Sequence, residues 1–222
     1  MRTLALLLML SWSALAQADK PTISADQMQL LRNGKVLLDA LKDGFMHVSE
    51  VHPAPNGRYF LAIACGFECV DNIGFLFNAD GTRKRRITPR GSYIMRNRVE
   101  WAADSRYVYY FRINSTAADS PPHPPREEWK QVHVLTGAIT TATTRRLKPQ
   151  ATYIVFRPWG ETLNVRAAPH TKANIVGTLP FGEGGVQFTG ETRQVGKTFW
   201  AKIKHGNLTG WVNQNYLCED AS

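Results

Sequence analysis

Leu163-Asn-Val-Arg-Ala-Ala-Pro169, Ile175-Val-Gly-Thr-Leu179, Phe199-Trp-Ala-Lys-Ile203 and Gly210-Trp-Val-Asn213, closing on Tyr216-Leu217, decide the fold of the last third of the chain. Each is a short run with aliphatic residues at alternate positions, the period-two pattern of a half-buried strand. A Pro turn and a Gly-rich hairpin separate them. From Thr198 to Lys204, Phe199, Ala201 and Ile203 share one face, while Trp200, Lys202 and Lys204 share the other. The aliphatic face belongs inside, which sets Trp200 beside two lysines on the outer side. Val212 also points in, turning Trp211 and Asn213 outward. An outward Trp among polar groups suits a carbohydrate or peptide groove. The competing reading for each indole is a cover for the barrel's end or a seal between domains.

Thr152-Tyr-Ile-Val-Phe156 supplies one more strand, and the composition changes near Lys148-Pro149-Gln150. The region 150–222 resembles a bacterial SH3 domain of the cell-envelope type. The resemblance implies an SH3-like β-barrel that binds and does not catalyse, with a groove around the Arg-Pro loop and the closing strand. Carried onto this chain, it gives Asn164, Arg166, Trp200, Trp211, Asn213 and Tyr216 as ligand-binding residues. Asn164, Asn213 and Asn215 equally suit turns and caps.

Ahead of that region the chain repeats itself. Val51-His-Pro-Ala-Pro-Asn-Gly-Arg-Tyr59 aligns with Val99-Glu-Trp-Ala-Ala-Asp-Ser-Arg-Tyr107 at a constant offset of 48. Each copy continues with a strand (Phe60–Ile63; Val108–Phe111), a third (Ile73–Phe77; Gln131–Leu135) and, after a turn, a fourth (Lys84–Thr88; Ala138–Thr141). Four short strands recurring in this way read as propeller-type blades, and the pattern resembles blades of TolB-like and prolyl-oligopeptidase-type propellers. Two blades cannot close a ring, so the expected domain, 19–149, packs them face to face as a small β-sandwich. Asn33-Gly34 between Gln27–Arg32 and Lys35–Asp39 predicts a hairpin, and either it or the C-terminal barrel is expected to cover the rest. An amphipathic helix from Ala25 to Leu41 would set Gly34 in mid-helix at a cost of about 1 kcal/mol. The whole chain is therefore expected to be all-β.

The chain of 222 residues carries a formal charge of +9. Arg2, the apolar run Leu4–Leu10 and Ala16-Gln17-Ala18 read as a signal peptide, 1–18, cleaved after Ala18. No later stretch reaches the roughly 18 apolar residues of a spanning helix. Localisation is thus expected to be periplasmic or secreted. There a basic surface points to anionic wall polymers, phospholipid head groups or acidic peptides, and not to nucleic acid. The basic run Arg83-Lys-Arg-Arg86 has two readings, an anion site or charge that keeps an edge strand from pairing. An oxidising compartment favours a local Cys65–Cys69 disulfide across Gly-Phe-Glu, with Cys218 outside that bridge near the flexible end. Pro121-Pro-His-Pro-Pro125 reads as a stiff, exposed loop.

Nucleophile-elbow, zinc-helix and phosphate-loop motifs are absent from the sequence, and the six His stand singly. No catalytic residue, metal or cofactor is expected. The leading expectation is a non-enzymatic envelope protein that binds peptidoglycan or another wall component. The alternative is a periplasmic protein-protein interaction or inhibitor protein.

Overall fold

The computed structural model describes residues 20–66, 72–89, 92–114, 128–156 and 161–220. The expected signal peptide, Cys69 and the Pro-rich run 121–125 lie outside the described residues. The chain is all-β as expected, and it divides into two compact units.

The first unit opens with a three-stranded sheet, β1 (Thr22–Ile23), β2 (Gln29–Arg32) and β3 (Lys35–Asp39), in that order. Arg32 pairs with Lys35 across a two-residue turn, with Asn33 at φ +50° and Gly34 at φ +75°. Positive φ at both positions is the type I′ geometry that Asn-Gly favours, so the hairpin holds and the helix does not form.

Next come two four-stranded meanders. β4 (His47–Pro53), β5 (Tyr59–Cys65), β6 (Asn72–Asn78) and β7 (Arg85–Arg86) form one. β8 (Ser92–Trp101), β9 (Tyr107–Asn114), β10 (Glu128–His133) and β11 (Ile139–Thr141) form the other. The 48-residue offset recurs bond for bond in their first turns. Ala54 N–H donates to Tyr59 O and Gly57 N–H to Ala54 O, as Ala102 N–H does to Tyr107 O and Ser105 N–H to Ala102 O. Asn56 Oδ1 accepts from Arg58 N–H, and Asp104 Oδ1 from Arg106 N–H, each at 2.9 Å. Gly57 and Ser105 both hold positive φ, at +67° and +57°.

Three layers result. β5 is buried from Phe60 through Cys65, because its two faces serve two different cores. Phe60, Ala62 and Ala64 join Phe75, Phe77, Leu30 and Leu38 beneath the three-stranded sheet. Leu61 and Ile63 join Leu76, Ile87, Ile94, Val108, Tyr110 and Val132 against the second meander. This is the face-to-face sandwich expected of two blades, with the Asn-Gly hairpin covering the free face. Gly74 leaves room for the second meander, since a Cβ there would lie 2.5 Å from Ile94 Cδ1 of β8. The Asn56 amide donates to Ser105 Oγ at 3.1 Å, and Trp101 Nε1 to His52 O at 3.2 Å, tying the paired turns.

The second unit is one curled sheet, in the order β14-β13-β17-β16-β15-β12-β18. Its strands are β12 (Thr152–Val155), β13 (Leu163–Arg166), β14 (Ile175–Leu179), β15 (Val186–Val195), β16 (Thr198–His205), β17 (Leu208–Asn213) and β18 (Leu217–Glu219). A 3-10 turn, Gln214–Tyr216, precedes β18. The interior holds Tyr153, Val155, Leu163, Val165, Leu179, Val186, Phe188, Ala201, Ile203, Val212 and Leu217.

By contacts the units part between Thr141 and Ala142, upstream of Lys148-Pro149-Gln150, and the start of β10 through Trp129 groups with the second. Leu147 packs into the barrel core. Arg145 is 1% exposed, and its guanidinium donates to Gln214 O (3.3 Å) and Leu217 O (2.9 Å) and lies 4.0 Å from the Trp129 ring centroid. Gln214 Nε2 donates back to Arg145 O at 3.2 Å. Cys218, expected near a flexible end, is instead fully buried in β18, opposite Ile154 of β12. The strand partner, invisible in a three-residue apolar run, is what fixes it. Cys65 closes β5, fully buried.

Candidate functional site

Alternation along β13, β16 and β17 sorts the barrel's side chains as the sequence predicts, except at Phe199. Expected inside, Phe199 is half-buried outside the interior cluster, with the Arg146 guanidinium 5.0 Å from its ring centroid. Val165, Ala201, Ile203 and Val212 belong to the interior cluster, and Trp200 and Trp211 do not. Register then assembles the outer face. Arg166 pairs with Trp211, and Trp211 with Lys202, giving one row across β13, β17 and β16. Beside it, Trp200 pairs with Asn213 on one side and with Arg193 of β15 on the other. Asn164 sits two residues before Arg166 on the outward side of β13, opposite Thr178.

The Lys202 ammonium is 6.0 Å from the Trp211 ring centroid and 3.0 Å from Glu191 Oε2. Glu191 is also 3.9 Å from Arg193 Nη2. Arg166 Nη1 donates to Ala173 O at 2.8 Å, closing the loop that carries Pro169. Asn213 Oδ1 accepts from Asn215 N–H at 3.1 Å and caps the 3-10 turn, the cap role being one of its two sequence readings. Tyr216 is half-buried and packs against the interior.

One expectation changes. Trp200 is 4% and Trp211 7% exposed, so neither indole offers an open flat plate. Alternation fixes which side of a sheet a residue takes and is silent about what packs over that side. What reaches solvent is the polar border of the row, Arg166, Lys202, Glu191 and Asn164, above an apolar floor. Glu191 escaped the sequence reading because a bulge in β15, between Phe188 and Thr192, breaks its alternation. Arg145 escaped it too, being a single cation in a segment without periodicity. Among the described residues no group of three or more His, Cys, Asp or Glu is arranged to hold a metal ion.

Residues 161–217 match the family described as Bacterial SH3 domain. The barrel is a bacterial SH3 domain. Such a domain points to cell-wall or protein binding and is typical of extracytoplasmic proteins. No curated protein matches the chain. Among solved structures, Kuenenia stuttgartiensis Hydrazine Synthase is similar over 88% of this chain and 65% of that chain, at 12% identity and a TM-score of 0.40. Among the described residues no helix is long and apolar enough to cross a membrane.

Proposed function

We propose that the chain is an exported, non-enzymatic envelope protein whose SH3 domain binds peptidoglycan, with carboxylates of the stem peptides as the recognised groups. The supporting observation is the row Arg166–Trp211–Lys202, two cations in register on either side of a sheltered indole. A carboxylate meeting that border gains charge-assisted hydrogen bonds, and Asn164 adds a neutral partner. The proposed export signal, with cleavage after Ala18, and a Cys65–Cys69 bridge fit an oxidising compartment.

The test is co-sedimentation of the full chain with purified wall sacculi. Lys202→Gln and Asn164→Ala should each lower retention several-fold at unchanged melting temperature, because the exposed Lys202–Glu191 pair contributes little stability. Retention equal to wild type in both variants removes the reading.

The alternative, a protein-protein interaction or inhibitor role, draws on a different feature. β14 is an edge strand without charge or proline, and Ile175 and Val176 are 52% and 47% exposed. Such an edge accepts an added strand. Affinity capture from envelope extract separates the two, one giving wall fragments and the other a stoichiometric protein.

A further inference from the structure

The basic run of the first unit has a surface role of its own. β7 is the edge strand of its meander, and the side chains around it part to both sides. Lys84 Nζ bonds Asp43 Oδ1 at 2.6 Å and lies 5.1 Å from the Phe75 ring centroid. On the other side, Arg83 donates to Leu135 O and Arg85 to Thr136 O, both in the β10–β11 turn. Arg86 Nε donates to Thr88 O at 2.9 Å.

Among the described residues, Arg83, Arg85 and Arg86 thus bond neutral carbonyl oxygens and no carboxylate. Three guanidinium charges are held in place and left uncompensated, each with further N–H donors available. Discouraging edge-to-edge pairing needs the charge but not this anchoring. The turns that the strand reaches also present bare aliphatic side chains. Leu41, two residues before Asp43, is 69% exposed, Leu135 is 55% and Ile139 is 37%. Fixed cations bracketed by exposed leucines match an anionic bilayer surface, with phosphates for the guanidinium groups and an acyl boundary for the leucines.

We propose that this rim docks the protein on anionic phospholipid. The probe is vesicles of phosphatidylglycerol and phosphatidylcholine, with pure phosphatidylcholine vesicles as reference, and the readout is partitioning of the full chain. Partitioning should favour the anionic vesicles at least tenfold and fall with salt. Arg83→Gln with Arg86→Gln should lower it about 25-fold, at roughly fivefold per charge. Leu41→Ser with Leu135→Ser should lower it about tenfold. Lys172→Gln with Lys197→Gln removes the same charge from the second unit and should leave partitioning within twofold of wild type.

Three results would overturn the proposal: equal partitioning to both vesicle types, equal losses for the two charge-removing pairs, or an unchanged leucine variant. Capture by soluble polyphosphate without vesicle binding would overturn it as well, making the rim a polyanion site. Melting temperatures within a few degrees of wild type certify each variant's fold.

Discussion

Asp80 accepts from the hydroxyl and the amide of Thr82 at 2.6 and 2.9 Å, and these bonds hold its carboxyl below the ordinary value. Asp26 is lowered by the Ser24 hydroxyl and then the Met28 amide. Asp39 is lowered by the Lys42 amide and Asp104 by the Arg106 amide. Each is a turn carboxylate that satisfies backbone or hydroxyl donors; Asp26, Asp80 and Asp104 are exposed and Asp39 is half-buried, and at the exposed three the effect is small. Their sign is common. A folded-state pKa below the unfolded value near 3.9 gives stability that is present above about pH 4 and lost as pH falls through the folded value. Asp80→Asn should therefore melt below wild type at pH 6 and converge with it as pH falls through the lowered folded-state value. A melting-temperature series across that range checks the expectation, and a constant gap at all pH values contradicts it.

At the scale of elements, Gly74 is a point of close approach, where a Cβ would meet Ile94 of the second meander and Ile87 of its own. Gly74→Val should force those sheets apart and cost about 1–3 kcal/mol, read as a lower urea midpoint at unchanged m-value. The hairpin at Asn33-Gly34 and the 48-residue echo were legible in sequence because turn chemistry is local. Asn56 and Asp104 do the same work in equivalent places with different side chains. The inward set Ala201, Ile203 and Val212 was legible for the same reason, since period two is a property of one strand. Shelter of the indoles was not legible, because it depends on groups brought from elsewhere by folding. The anchoring of Arg83 and Arg85 was hidden likewise: their acceptors lie 52 and 51 residues away in the chain.

For the whole molecule, the stretch before the barrel is part of the barrel's own unit. Removing Arg145 and Leu147 strips donors from the Gln214 and Leu217 carbonyls and opens a gap in the interior. A fragment 150–222 should thus be less stable than 142–222 by about 3 kcal/mol, or roughly 10–20 °C in melting temperature. Equal melting of the two fragments would show that the clasp is ornamental. The first unit carries a different consequence. Its middle sheet is a party wall, plastered on both sides, so neither room can be emptied while the other stays furnished. Selection on either core is then selection on both, and substitutions along β5 can drift only in concert with neighbours that never touch one another.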